Sequence, residues 1–290
     1  MRELLVKVDA RNLEVFDAGD AGDPAVIVHH GTPGSGILYD PWVEDARQRG
    51  LRLIGYSRPG YGASSRRPGR DVAQCAEDVT AITDALGIAR FATWGVSGGG
   101  PHALATAALF PERCVAAVTL ASVAPYDSPG LDFLAGMGED NVIEFNAALQ
   151  GEAAIRPLAE AQLPAMRSAD PVQMAAQMRT VLSTVDADSL TDRFGEFMAR
   201  YGQHGLSASG DGWIDDDLVF TRPWGFDLDW ISIPLQIVQG DHDLMVPPAH
   251  GAWLASRMPQ AEFRALPNDG HVALLATRIP EVHAWLASRF

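Results

Sequence analysis

The sequence predicts an α/β protein built on a mostly parallel sheet with helices on both faces and a helical insertion late in the chain. Three observations predict it. Short β-branched and aromatic runs alternate with amphipathic helical text up to about residue 124. The strand signal then vanishes from 125 to 225. It resumes in two further strand–helix units, so the expected organisation is a core of residues 1–124 and 226–290 around a helical cap, or lid, of residues 125–225.

Each element has its own signal. "ELLVKV" and "LEVFDA" read as strands of an antiparallel opening, and "AVIVHH" as a buried strand because it lacks polar alternation. "ILYDPWVEDARQRG" predicts a helix ending at Gly50, "LRLIGY" a strand, and "DVAQCAEDVTAITDALG" an amphipathic helix opened by Asp71 and stopped by Gly87. "RFATWGV" is the next strand, followed by a helix from Gly99 to Phe110 and the strand "CVAAVTLAS". After the insertion come the strand "IPLQIVQG", a helix around "HGAWLASRM", the strand "AEFRAL" and one last helix, "LLATRIPEVHAWLASRF". Connections of this kind place parallel strands side by side with right-handed crossovers.

Composition narrows the class of function. A net charge of −15 and a pI near 4.8 argue against a nucleic-acid partner, since phosphate binding needs clustered Lys and Arg. The one basic cluster, Arg66, Arg67 and Arg70, reads as a solvated loop. Cys75 and Cys114 have neither disulfide-framework nor metal-ligand spacing and read as small buried apolar residues. "DHD" at 241–243 lacks a second ligand cluster, so no metal and no cofactor are expected. The N-terminus is too often interrupted by charge for a signal peptide, and no apolar run reaches membrane-spanning length. A cytoplasmic location, a small-molecule substrate and no membrane partner are the resulting expectations, with oligomeric state unreadable.

The stretch "TWGVSGGGP" at 93–101 carries the chemistry. Gly95, Ser97 and Gly99 form GxSxG where a strand turns into a helix, the context in which this pattern becomes a nucleophile elbow. The spacing has a steric reason: the serine backbone is strained, and the residues two before and two after must lack bulk where helix meets strand. A serine hydroxyl is a poor nucleophile at neutral pH, so it needs a base, and the base needs a group to fix its tautomer. "DHDLMVPP" and "PNDGHV" follow the last two strands and put Asp and His in the required order after the serine.

With these residues the chain resembles the α/β-hydrolase superfamily, in particular its small lidded, proline-iminopeptidase-like or haloperoxidase-like branch. The resemblance covers nearly the whole chain, through "HHGTPGS" at 29–35, "RPGYGAS" at 58–64, "GVSGGG" at 95–100, "GDHDLMVP" at 240–247 and "DGH" at 269–271. It implies Ser97 as nucleophile, Asp243 as the acid with Asp241 as a substitute, and His271 as general base. It also implies an oxyanion hole of the Thr32 and Gly98 backbone N–H groups, with His30 and Gly31 organising the Thr32 loop. His29 is expected to serve strand packing. Ser57 stands where the family usually has Asp, which puts the local loop hydrogen bonding in question.

The resemblance implies a serine hydrolase cleaving a small carboxylic ester or amide through an acyl-enzyme. A proline iminopeptidase, a carbon–carbon bond hydrolase and a non-turnover ligand receptor of the same fold stay open. The iminopeptidase family usually has Gly at Thr32 and Trp at Gly98, and the acidic text around Glu139, Asp140, Glu144 and Asp215 to Asp217 reads more simply as a solvated face than as an amine site. His102, His250 and His283 lie in helical text and read as packing or surface residues. The methionines at 137, 166, 174, 178 and 198 read as core filling, although a pliable pocket wall would use the same residues.

Overall fold

The computed structural model describes all residues from 1 to 290. The first segment contributes β1 (Arg2–Val8), β2 (Arg11–Ala18), β3 (Ala25–His29), α1 (Asp40–Gln48), β4 (Arg52–Tyr56), α2 (Cys75–Ala85), β5 (Phe91–Val96), α3 (Gly100–Leu109) and β6 (Cys114–Leu120). Between β6 and the next strand lie only helices: α4 (Glu139–Gln150), α5 (Glu152–Ser168), α6 (Pro171–Gln177), α7 (Thr184–Ser189), α8 (Asp192–Gly205) and α9 (Asp211–Phe220). The chain closes with β7 (Leu235–Gly240), α10 (Pro248–Arg257), β8 (Glu262–Leu266), α11 (His271–Thr277) and α12 (Ile279–Ala287).

The eight strands form one sheet in the order β1-β2-β4-β3-β5-β6-β7-β8. The β1–β2 and β2–β4 pairs are antiparallel and the rest are parallel, as the alternating text requires. Because successive strand residues point to opposite faces, Ile27, Ile54, Phe91 and Ile237 enter one core with α2, α3 and α10. Val26, Val28, Trp94 and Val238 enter the other with α1, α11 and α12. A third, smaller core joins α4, α5 and α9 to Tyr61. Met137 belongs to the first core, Met174, Met178 and Met198 pack on the second and Met166 on the third, so these methionines fill cores.

Two expected helices differ in extent. The last one is two, α11 and α12, because Pro280 has no N–H to continue the ladder and the break falls at Arg278. The helix expected from Asp71 begins at Cys75. Asp71 instead closes a turn of its own, its carboxylate accepting the Gln74 N–H while the Gln74 side chain accepts the Asp71 N–H.

The helices between β6 and β7 are tied to the sheet by ion pairs. Asp215, Asp216 and Asp217 are buried, and so is Arg70, which corrects the solvated reading for these four residues; Glu139 and Asp140 are exposed as expected, and Glu144, Arg66 and Arg67 are partly buried. Arg66 pairs with Asp215 at 2.8 Å, Arg67 with Glu77, and Arg70 with Asp216 at 2.6 Å. Arg66 and Arg70 thus neutralise Asp215 and Asp216 across the junction of α9 with the loop after β4, whereas burial and the neighbouring Glu144 push the Asp217 carboxyl well above its ordinary value.

A second tie joins α8 to β2, where His204 Nε2 lies 2.9 Å from Glu14 Oε2. The hydrogen bond to Glu14 outweighs burial and raises the His204 pKa above its ordinary 6.5. Burial opposes ionisation of Glu14, yet hydrogen bonds from His204 and Ser57 hold it below 4.5. The raised histidine contributes stability that is complete below 6.5 and is lost as pH rises through its folded value. The lowered carboxyl contributes above 4.5 and loses its share only on acidification. The Tm deficit of His204→Gln relative to the parent protein should therefore be greatest between pH 4.5 and 6.5 and shrink at higher pH, as calorimetry across that range would show.

Candidate active site

The β5–α3 turn is built as its glycines demand. Ser97 has φ of 55°, a left-handed conformation that is strained for a residue with a side chain. A Cβ at Gly95 would overlap the carbonyl of Gly99, and one at Gly99 would overlap those of His29 and His30. The first turn of α3 thus lies directly against the end of β3, and the Ser97 side chain stands partly exposed at the carboxyl end of the sheet.

Asp243 and His271 meet after β7 and β8. His271 Nδ1 is 2.7 Å from Asp243 Oδ2, with both residues buried. The other Asp243 oxygen accepts the N–H groups of Met245 (2.9 Å) and Val246 (2.8 Å), so the carboxylate is fixed by its own loop. Burial disfavours a charged His271, but the charge and hydrogen bond of Asp243 overcome it and raise the ring's pKa above 6.5, with a smaller contribution from Asp186. Asp241 is exposed, and its backbone pairs with Leu266, which removes it as a substitute for Asp243. No hydrogen bond joins Ser97 Oγ to His271 in this structure. The structure therefore brings Asp243 and His271 together and leaves the serine outside their pair.

Thr32 and Gly98 are neighbours, since a Cβ at Gly98 would strike the Thr32 side chain and the Phe220 ring. The Thr32 backbone N–H has no acceptor within the protein, and that of Gly98 opens the short 3-10 turn of residues 97–99, where the first donors lack internal partners. Gly31 precedes them, its α-carbon facing the Ser97 Cβ. His30 holds this loop in a defined tautomer: Nδ1 donates to Gly31 O at 2.7 Å, and Nε2 accepts the Arg58 N–H at 2.9 Å. Burial, aided by Arg58, pushes its pKa well below 6.5, so the ring is neutral.

Arg58 fills the space beneath the loop. Its guanidinium donates to the carbonyls of His30 and Gly31, to Thr32 Oγ1 at 2.9 Å and to Asp216 at 2.5 Å. Thr32 Oγ1 donates to Asp216 at 2.6 Å and Tyr61 to the same oxygen at 2.8 Å. Burial alone would raise the Asp216 pKa, but Arg58 and Arg70 hold it well below the ordinary carboxyl value.

Four further histidines are interior, whereas His242 is exposed. His29 bonds Tyr56 and Thr106, and burial pushes its pKa down to about 3. His102 bonds the Gly98 carbonyl at 2.8 Å, His250 spans Ala124 and Phe133, and His283 reaches Asp45. Both cysteines are buried and free. No group of three or more His, Cys, Asp or Glu side chains is arranged to hold a metal ion, and no helix is long and apolar enough to cross a membrane.

Ser57 has a clear place. Its hydroxyl donates to Glu14 Oε2 at 2.7 Å and accepts the Gly36 N–H at 3.0 Å. A carboxylate is therefore present beside position 57, supplied by β2. Glu14, Asp186, Tyr201 and Asp216 escaped the sequence reading as parts of this region, and Arg58 entered it only as the first residue of "RPGYGAS", without a role of its own. Only Asp186 left a local signal, the Ser183–Asp186 spacing of a helix cap.

An eight-stranded, mostly parallel sheet whose β5–α3 turn strains a serine is an α/β-hydrolase architecture. Residues 24–276 match the family described as alpha/beta hydrolase fold, and the chain belongs to that family. It is 31% identical over 110 residues to the bifunctional esterase/perhydrolase DCH of Acinetobacter calcoaceticus, covering 38% of this chain and 40% of that one. It is 34% identical over 119 residues to a non-heme chloroperoxidase of Streptomyces lividans, covering 40% and 43%. The chain thus aligns with less than half the length of either relative. The fold matches a thermophilic esterase from Thermogutta terrifontis over 99% of both chains, with a TM-score of 0.70 at 22% identity.

Because Glu14 already occupies the space beside Ser57, Ser57→Asp should bury two carboxylates together and cost about 3 kcal/mol or more. Combining it with Glu14→Gln should recover most of that loss in urea melts.

Proposed function

We propose that the protein is a serine hydrolase that cleaves a small carboxylic ester through an acyl-enzyme, with helices α4–α9 acting as a cap over the site. The observation that carries this reading is the buried His271–Asp243 pair, which follows the strained Ser97 in chain order at the carboxyl ends of later strands. With Nδ1 committed to Asp243, Nε2 is the ring's free lone pair. It accepts the Ser97 proton as Oγ attacks the acyl carbon, and the imidazolium that forms is stabilised by Asp243. The N–H groups of Thr32 and Gly98 receive the oxyanion, a charge that exists only in the tetrahedral state. The proton then passes to the leaving oxygen, and water repeats the sequence to release the acid and restore Ser97.

Two features favour an ester over an N-terminal peptide substrate. Asp215 and Asp216 are paired with arginines and are not free to bind a substrate amine. Gly98 leaves no room for the tryptophan usual in iminopeptidases, because Thr32 and Phe220 occupy that space. Similarity to a relative named as an esterase/perhydrolase points the same way.

Ser97→Ala and His271→Ala should each lower turnover of p-nitrophenyl acetate by ~10³-fold or more, with the double variant little worse than either. The parent protein should turn over many equivalents of ester per chain. A single stoichiometric burst on every ester tried would identify a receptor instead.

The base must be neutral to work, and His271 carries a raised pKa. The kcat/KM for the ester should therefore increase with pH through a midpoint above histidine's ordinary 6.5. A stopped-flow pH series with a midpoint below that value would contradict the His271–Asp243 coupling.

A further inference from the structure

We propose that the helices between β6 and β7 carry positioning residues for this reaction: Asp186 for the histidine base, and Tyr201 with Asp216 for the oxyanion loop. The inference rests on the roles assigned above to Ser97, His271 and the N–H groups of Thr32 and Gly98. It differs from the role of a cap as a wall around substrate, because the three side chains act on the catalytic loops themselves.

Asp186 lies on α7 and is fully buried. Its Oδ1 accepts the N–H groups of Val272 at 2.7 Å and Ala273 at 3.0 Å, the two residues directly after His271. Its Oδ2 accepts the Ser183 hydroxyl at 2.7 Å. A Cβ at Gly270 would run into the same carboxylate. The peptide units on both sides of His271 are thus set by one side chain from another part of the chain. The charged groups facing the ring are Asp243, from the loop after β7, and Asp186, from α7.

The oxyanion loop is held from α8 and α9. The Tyr201 hydroxyl accepts the Gly31 N–H at 2.7 Å, and the Tyr201 carbonyl accepts the Ser35 hydroxyl at 3.0 Å. A Cβ at Gly34 would meet the Tyr201 ring, so the loop lies flat against it. One residue along, Asp216 takes the Thr32 hydroxyl at 2.6 Å. With Gly31 N–H occupied by Tyr201 and the Thr32 side chain occupied by Asp216, the Thr32 backbone N–H is left as the free donor beside Gly98. Oxyanion stabilisation depends on donors being fixed before the charge develops, so loosening either anchor penalises the transition state more than the bound ester.

The test compares Thr32→Val, Thr32→Ser, Tyr201→Phe and Asp186→Asn in the full chain, with Ser97→Ala as reference. The readouts are kcat and KM for a small activated ester and the inhibition constant of an alkyl boronic acid, which forms a tetrahedral adduct on serine. Thr32→Val and Tyr201→Phe should each lower kcat by ~10-fold or more and weaken boronate inhibition in parallel, with KM changed by no more than about twofold. Thr32→Ser, which keeps the hydroxyl for Asp216, should restore most of the loss. Asp186→Asn keeps an oxygen for the two N–H groups but removes the charge, so it should lower kcat and move the acid limb of kcat/KM to lower pH.

Parent-like kcat and boronate affinity in both Thr32→Val and Tyr201→Phe, with Ser97→Ala inactive, would overturn the inference and leave the hydrolase reading standing. An unshifted pH profile in Asp186→Asn would overturn the part assigned to that residue. Full activity in Ser97→Ala would overturn both readings together. If Tyr201→Phe does not fold, the contrast between Thr32→Val and Thr32→Ser decides the oxyanion-loop part alone.

Discussion

Arg58 and Asp216 form an ion pair from which water is excluded on both sides, and much of the junction between sheet and helices is arranged around it. The pair is not isolated. Asp216 also receives Arg70, Tyr61 and Thr32, while Arg58 reaches the carbonyls of His30 and Gly31. Burying two charges is repaid only when the geometry is good and the remaining lone pairs and protons find partners; Arg58 and Asp216 meet that condition, while Nε and Nη1 of Arg70 have no partner. Removing Asp216 would leave Arg58 buried without its carboxylate, at a cost of about 3–5 kcal/mol, whereas removing Arg58 would leave Asp216 with Arg70 as its remaining cation. Through Asp216 the pair joins α9 to the loop after β4.

A second constraint comes from backbone rather than charge. Ser97 is held at a positive φ because α3 must start almost in contact with β3, and that approach is possible only with glycine at 95 and 99. Apart from Ala121 after β6, which is buried at a positive φ of 47°, such strain in the core is confined to Ser97. Around it the interior is conventional, with two apolar cores on the two faces of the sheet and buried histidines hydrogen-bonded on at least one nitrogen. Rigid surroundings of this kind are what allow a strained residue to persist.

These two constraints converge on the loop of residues 30–35. The end of β3 meets the elbow from one side, and Arg58, Asp216 and Tyr201 meet the loop from the other. Glu14 extends the same junction to β2, where it takes up Ser57 and His204. A chain with Asp at position 57 would bring its own carboxylate to this place. Here the carboxylate comes from a strand 43 residues away, and the serine adapts to it as a hydrogen-bond relay.

What the sequence determined by itself was everything encoded locally. The alternation of strand and helix text gave the parallel sheet, since periodicity reports which face of each element is apolar. The GxSxG spacing marked the strained turn because steric crowding there depends only on near neighbours, and the order of Ser97, Asp243 and His271 followed the strand ends. Tertiary structure alone decided the partners. Asp215, Asp216 and the arginines at 66 and 70 each look solvated in their own segment, yet they pair across about 150 residues of chain, Arg66 with Asp215 and Arg70 with Asp216, and all but the partly exposed Arg66 are buried. Tyr201 and Glu14 are likewise ordinary residues in their local text, and the cap spacing at Ser183–Asp186 marks a helix start without naming the distant partners of Asp186. The roles of Asp186, Tyr201 and Glu14 arise from hydrogen bonds spanning 86, 170 and 43 residues, and a pairing over that distance leaves no periodicity or spacing from which it can be read.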